Sequence, residues 1–569
     1  MSEKQNTSVL PSPRASFDVS KEGAHVETAS GRDNHEVSIA TGNADGLKRD
    51  LSNRKVQLVA IGGSIGTALF LSIGGVLNKA GPGSLFLAFV IYNCFLALIN
   101  NCMAEMTVYM PVSGSFIRMA GYWVDDALGF CVGWNFFLFQ VIVIPFEITA
   151  LTLVLSFWSD NIPVAAICGG AIVLYFILNV FAVAVYGEAE FWLSSGKVLL
   201  LTILFCFTFI TMVGGNPQHD AYGFRYWKNP GAFVEFSSTG SLGKFEGFLA
   251  ALWSASFTCV GPEFVGMMSA EAKHPRTYVK TAFKIVYIRI IVFFIGGATA
   301  VGILVPWNDP VLMDVYQGSG NTHSGSAAAS PYIIAMKNLG IGILPHIITA
   351  LIASTIFSAG NTYVYCATRS LYGLAIEGRA PKVLRKVTKN GVPIYCFGIV
   401  MLFPFLSFLQ LSASSANVLT WLINLATGAT IIDYIVICIT YIRFHKACVA
   451  QGFDRTKLPY YGYFQPWCGW IGLIWEVLII VFYGYKSLHP FDYTSFLTAY
   501  AMPFLITLLF VSWKFAKGTK WKKPEEVDLV WEAPLITAYE ESCGEPPVGF
   551  FRDIYLSLRK ITQIGKTPV

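Results

Sequence analysis

Residues 56–67 read Val56-Gln57-Leu58-Val59-Ala60-Ile61-Gly62-Gly63-Ser64-Ile65-Gly66-Thr67, and they open an apolar stretch that runs to Leu77. That stretch is just long enough to cross a membrane as a helix. Gly62, Gly63, Ser64 and Gly66 crowd its middle, where glycine is costly to a helix. Backbone unwound at membrane depth survives only where protein or a polar cavity satisfies it. A second apolar stretch, Phe248 to Ala270, carries Gly261-Pro262-Glu263-Phe264-Val265-Gly266. Two interrupted spans at matching positions of two halves point to the binding site of a membrane carrier.

The rest of the chain agrees with a membrane setting. Its 569 residues are 54% hydrophobic and only 13% charged, about half the charge of a soluble domain. The apolar residues cluster in long runs with charges between them, as in a protein that crosses the bilayer many times. Twelve helical spans are expected, at 56–77, 84–109, 129–157, 163–184, 191–214, 248–270, 284–304, 331–365, 393–411, 417–441, 467–487 and 493–513. The fold class is therefore an all-α membrane protein. The broken first and sixth spans suggest a five-plus-five inverted repeat, 56–214 and 248–441, with two helices appended. Residues 1–55 read as a disordered tail and 514–569 as a polar tail. The first fifty residues hold no apolar signal-peptide core, so the first span is expected to act as the insertion signal.

Orientation follows from lysine and arginine. With the N-terminus inside, and with Lys284 and Lys486 counted with the loops they border, 32 of them fall in cytoplasmic segments and five in outward loops. This excess places both termini in the cytoplasm. The glycosylation acceptor Asn6 then lies inside and is not expected to be used. The net charge of +5 is a topology signal, because no basic patch interleaved with aromatics suggests nucleic acid. The twelve cysteines lack disulfide or zinc spacing, and His274, His346 and His489 lack metal spacing. No phosphate-binding glycine loop with a lysine, nucleophile elbow or HExxH occurs. An enzyme, an ATP-driven pump and a cofactor are not expected.

The candidate site begins at the first break. Backbone N–H groups at the positive end of a half-helix can hold a carboxylate without a charged side chain. Gly63, Ser64, Ile65 and Gly66 are the expected donors, with the hydroxyls of Ser64 and Thr67 beside them. Close helix packing through the small residues Gly62 and Gly66 is the plainer alternative. In the sixth span, Ser256-Phe257-Thr258-Cys259-Val260-Gly261-Pro262-Glu263 places an acid beside a proline. Proline frees carbonyls, which suit an ammonium group, and a simple kink is the alternative. Ser256, Phe257, Cys259 and Gly261 join the substrate-binding candidates. Amide donors facing carbonyl acceptors fit a zwitterion, the simplest being an α-amino acid.

Lys197 reads as the only basic residue well inside a span and far from its charged ends. It must pair, lose its proton or reach the inner headgroups. The intramembrane acids are Glu105, Glu147, Glu263, Asp433 and Glu476, each costly if left unpaired. Glu147, mid-span beside Pro145, and Glu263, beside the break, join Lys197 as proton-coupling candidates. Glu105 reads as a cap on the inner end of the bundle, and Asp433 and Glu476 as packing or interface residues.

These segments resemble the fungal amino-acid permeases of the amino acid–polyamine–organocation superfamily, most of all their broad-range members. The likeness is carried by Gln57 to Thr67, Ala80-Gly81-Pro82, Ala104-Glu105 and Met110-Pro111-Val112-Ser113-Gly114-Ser115-Phe116. Phe191-Trp192 through Lys197, Gly261-Pro262-Glu263 and Glu271-Ala272-Lys273-His274-Pro275-Arg276 extend it. The resemblance implies a LeuT-type repeat with helices 1 and 6 unwound at mid-membrane, and proton-driven import at the plasma membrane. It implies that Ser64 to Gly66 hold the substrate carboxylate, that carbonyls before Gly261 hold the amino group, and that Lys197 takes part in proton coupling. Pro262 departs from the smaller or polar residue of many relatives, which shapes the break differently. By analogy with these permeases, Lys4, Lys21 and Lys48 are ubiquitin acceptors, against a plainer reading as solvated tail charges. The cluster Lys514, Lys517, Lys520, Lys522 and Lys523 is expected to touch anionic lipid headgroups. The alternatives to a proton symporter are an amino-acid-sensing receptor on the same fold and an uncoupled facilitator or exchanger.

Overall fold

The computed structural model describes residues 49–556, apart from 50, 65, 160, 182, 318–329, 389–391, 413–414, 489–490, 546 and 554. The tail residues Lys4, Asn6, Lys21 and Lys48, together with His489, lie outside the described residues. Among the described residues the extended pairings are two isolated bridges, Leu51 with Ala272 and Leu488 with Phe491; the architecture is helical. Ten helical segments are long and apolar enough to cross a membrane, and Val164–Val180 is a shorter apolar helix.

In chain order, α1 is Asn53–Ser64, followed by a π-helical turn Ala68–Ser72 and α2, Ile73–Tyr109. The expected spans 56–77 and 84–109 thus run into one another. Their boundary survives as a kink at Gly81, at φ 78° and ψ 167°. Pro82 supplies no N–H there, and a side chain on Gly81 would place its Cβ 2.7 Å from the Ala232 carbonyl. That carbonyl accepts instead from the Gly83 N–H at 2.8 Å, so the segment 232–234 seals the kink.

The expected loop after the second span contains a helix, α3, Ser115–Trp123, nearly all of it buried. Then come α4, Asp126–Leu155; α5, Val164–Phe181; and α6, Val183–Met212. The side chain of Asp125 caps α4 by accepting from the Ala127 N–H at 3.0 Å, which satisfies one orphan donor of the first turn. The sixth span is split into α7, Gly240–Thr258, and α8, Pro262–Met267. The seventh runs as α9, Pro275–Arg289, a π-helical stretch Ile290–Ile295 and α10, Gly296–Leu304. After α11, Pro310–Gln317, the expected span 331–365 divides into α12, Pro331–Asn338, and α13, Leu344–Ile376. Gly340 at φ 74° ends α12, and Pro345 opens α13 where a missing N–H costs nothing. The chain continues through α14, Ile394–Val400; α15, Ser415–Ala450; α16, Trp467–Phe482; and α17, Tyr493–Lys517.

α4 is the axis of the molecule. It is apolar on all sides, as suits a helix surrounded by others, and α13 and α15 pack along it. In its most apolar window 83% of residues are buried, against 17% for α17, which places α17 at the periphery. α2 packs against α7 and α10. The expected polar tail is also ordered in part. Gly518 ends α17 in a left-handed conformation at φ 61°, and α18, Ala533–Ser542, follows. Val527, Leu529, Ala533 and Ile536 are buried. Lys514 pairs with Asp125, and the Lys522 ammonium donates to the Tyr122 carbonyl at 2.6 Å. These two lysines therefore make contacts within the protein.

Candidate functional site

The first break lies further along the chain than the glycines suggest. The backbone of Gly63 and Ser64 belongs to the last turn of α1, helix resumes at Thr67, and Gly66 is non-helical. Ile65 and the side chains of Val59–Ser64 lie outside the described residues. The last turn of a helix leaves carbonyls without partners, whereas the first turn leaves N–H groups. The amide donors of the resumed helix are therefore those that follow the break, at Gly66, Thr67, Ala68 and Leu69, and the Thr67 N–H is already directed at the Glu147 carboxylate. The expected donors Gly63 and Ser64 sit on the carbonyl-rich side of it.

The second break is narrow. The Cys259 N–H closes the last turn of α7 on the Ala255 carbonyl at 2.8 Å. Gly261 then takes φ 154° and ψ −38°, with Pro262 in the first turn of α8. Only glycine takes that conformation without strain. The Glu263 carboxylate turns back to accept from the Gly261 N–H, at 3.2 Å to each oxygen. It also accepts from the Tyr434 hydroxyl of α15 at 3.0 Å. Glu263 thus works as a cap for α8, and its charge sits at the positive end of that helix.

Both breaks border one narrow cavity of about 30 Å³. Gly66, Thr67, Phe257 and Glu147 line it, joined by Ala68, Leu69, Thr258, Val260 and the aromatic Phe139, Phe146 and Tyr363. Of the expected site residues, Ser256, Cys259, Gly261, Glu263 and Lys197 are not in its wall. The Ser256 hydroxyl bonds back to the Trp253 carbonyl at 2.7 Å, and Asn93 donates to the Cys259 sulfur at 3.2 Å. Thr258, Val260 and Tyr363 were missed as lining residues. Thr258 and Val260 lie within the quoted motif, but nothing local says which side of a broken helix faces inward.

Glu147 connects the cavity to the buried charges. Its carboxylate accepts from the Thr67 hydroxyl, and a Cβ on Gly66 would sit 3.7 Å from Glu147 Oε1. Gly360 of α13 makes room behind it, where a Cβ would meet Glu147 Cβ at 3.3 Å and collide with the Tyr175 hydroxyl. Lys197 on α6 is fully buried and acts electrostatically on Glu147. Its burial removes the reading in which the ammonium reaches the headgroups.

Lys197 is not the only deeply placed cation, as the sequence suggested. Arg289, at the end of α9, is 2% exposed and acts electrostatically on Glu263. Its position inside the expected span 284–304 was the available signal. Asp433 accepts from Asn135 at 2.9 Å, a packing role. Glu105 is fully buried and holds Arg455 through two contacts of 2.7 and 2.9 Å, so it ties the C-terminal end of α2 to the segment after α15.

A larger cavity of about 250 Å³ lies toward the ends of α8 and α13, lined by Gly114, Gln140, Phe264, Glu271, Cys366 and Arg369 among others. Tyr363 stands between the two cavities. Its ring packs on Phe139 and on Phe264, each at 6.2 Å between centroids.

A bundle of apolar helices, two of them broken at one buried cavity with charges close by, defines a polytopic membrane carrier. The particular family is settled by comparison: residues 55–526 match the amino acid permease family model, and the chain belongs to that family. It is 41% identical to the general amino acid permease AGP2 of Saccharomyces cerevisiae over 87% of this chain and 84% of that protein. It is 37% identical to a dicarboxylic amino acid permease of the same yeast, over 85% of this chain and 79% of the relative. With the lysine/arginine permease CAN1 of Candida albicans the identity is 35%, over 82% of this chain and 80% of the relative. Proteins of this family are transporters and not enzymes.

Proposed function

We propose that the protein imports amino acids together with protons across the plasma membrane, with both termini in the cytoplasm. The supporting observation is the meeting of the two helix breaks on the cavity that Glu147 lines. The N–H groups that follow the first break, at Gly66, Ala68 and Leu69, would receive the carboxylate. The carbonyls that end α7, at Phe257 and Thr258, would receive the ammonium. Counting Ala68–Tyr109 as two spans divided at Gly81, together with the shorter helix Val164–Val180, gives twelve spans in a LeuT-like arrangement. In that arrangement, one group of helices rocks against another around a fixed site. Glu147 and Lys197 would carry the coupled proton by changing charge as the cavity fills, while Tyr363 separates the cavity from the inner side.

The relatives' names range over general, dicarboxylic and lysine/arginine permeases at similar identity, so identity alone selects no side chain. The lining does more. Beyond Glu147 it is apolar, aromatic or hydroxylic, and the proposal is that neutral amino acids are preferred. The test is uptake of one labelled neutral amino acid in cells lacking other permeases, against a competitor panel, with and without a collapsed proton gradient. Accumulation that stops when the gradient collapses, with neutral competitors strongest, is expected. Uptake indifferent to the gradient would make the protein a facilitator or exchanger. Strongest competition by aspartate or lysine would overturn the preference, and absence of uptake would favour a receptor.

A further inference from the structure

The segment after α17 is bound at both ends of a path across one face of the molecule. Near its start, the Lys522 N–H donates to the Val124 carbonyl at 2.9 Å, and Gln451 of the chain after α15 donates to the Pro524 and Val527 carbonyls at 2.9 and 2.7 Å. In its middle, the Tyr109 hydroxyl and the Trp123 indole donate to the Leu529 and Asp528 carbonyls at 2.7 and 3.1 Å. Trp531 stacks on Tyr122 at 4.0 Å.

Two carboxylates then clamp two guanidinium groups. Glu532 meets Arg118 of α3 at 2.7 Å, and Arg118 also faces Glu377 at the end of α13 at 3.4 Å. Glu540 accepts from the Arg276 N–H at 2.9 Å and faces its guanidinium at 3.7 Å. At its far end the segment reaches α1: Asn53 donates to the Val548 carbonyl, and the Arg54 N–H to Asp553, each at 2.9 Å.

Those last contacts matter because of what α1 is attached to. The Leu51 N–H donates to the Glu271 carbonyl at 2.9 Å, and the Lys273 N–H to the Leu51 carbonyl at 3.0 Å. The start of α1 is thereby tied to the chain just beyond α8. The segment therefore holds the start of α1 directly and, through Leu51, the chain just beyond α8, and joins them to α3 and to the end of α15. Glu377 and Gly114, on the rim of the 250 Å³ cavity, adjoin the Arg118 clamp.

We infer that the described residues of 519–553 are an intramolecular latch that restrains the inner half-helices, and that its release from α1 accompanies opening of the inner cavity. The clamping side chains keep 10–22% of their surface exposed, so water can reach these charge-assisted pairs as they part. The inference rests on the transport reading for its purpose, and its test is chosen to stand apart from that reading.

The first arm needs no substrate. Cys366 lines the inner cavity, so its alkylation in inside-out vesicles reports opening, with Cys366→Ser as the background. A Glu532→Gln/Glu540→Gln double variant should label several-fold faster than the native chain; an unchanged or slower rate overturns the latch. The second arm bridges an Asn53→Cys/Val548→Cys pair with a cleavable thiol reagent, with each single variant as control. Uptake should fall at least tenfold on bridging and return on cleavage, at constant surface amount. Uptake unaffected by the bridge overturns the latch. Absence of uptake in the native chain would sink the transport reading and leave the labelling arm decisive.

Discussion

Lys197 and Glu147 sit on different helices, fifty residues apart in sequence, and both are buried. A buried charge without its counterpart is costly, so each constrains the other's protonation. Lys197→Met is expected to abolish accumulation driven by an imposed proton gradient, measured as labelled uptake at several external pH values. Accumulation with its usual pH dependence in that variant would make Lys197 structural. Gly261 answers to a different constraint. An alanine at φ 154° costs on the order of 1–3 kcal/mol of backbone strain. Gly261→Ala should lower thermal stability in detergent by that amount and impair uptake, whereas Gly196→Ala, where a Cβ meets nothing within 4 Å, should do neither. The glycine and proline at this break were legible in the sequence, because backbone permissiveness is a property of the residue itself. The role of Glu263 was not, because its partner Tyr434 is 171 positions away.

At the scale of the element, the two broken helices are held differently. The first opens on Thr67 and Glu147, close to Lys197. The second is closed on itself by the Glu263 carboxylate, with Tyr434 and Arg289 behind it. Glu263→Gln would weaken the hydrogen bonds from the Gly261 N–H and the Tyr434 hydroxyl and remove the negative charge that acts on Arg289, and it is expected to destabilise the protein more than Tyr434→Phe does. Tyr434→Phe, which removes one hydrogen bond to a charged group, should cost about 1.5–3 kcal/mol. Thermal unfolding in detergent distinguishes the two. A Glu263→Gln protein of native stability but altered pH dependence would return Glu263 to the coupling role suggested by its place in the sequence. The expected span 331–365 failed for a reason of the same scale. Its apolar composition is continuous, and only Gly340 and Pro345 mark the division into α12 and α13.

Across the whole molecule, polar ties join segments that are far apart in the chain. Arg455 reaches back to Glu105, 350 positions earlier, and Arg455→Met should destabilise by about 3–5 kcal/mol through the stranded carboxylate, read by the same unfolding measurement. The latch formed by the described residues of 519–553 belongs to this scale too; its apolar Val527, Leu529 and Ile536 are visible in the sequence, but the surfaces they dock on are not. What the sequence determined by itself is a helical chain of the amino acid permease family, crossing the membrane many times and interrupted near Gly66 and Gly261. Apolar run length and glycine–proline placement are local properties that act before any contact forms. The tertiary structure decided which amides border the cavity, which acid faces Lys197 and which faces Arg289, and where the C-terminal segment docks. Those outcomes depend on the packing of α4 against its neighbours, and a pairing between residues hundreds of positions apart leaves no periodic trace in the chain.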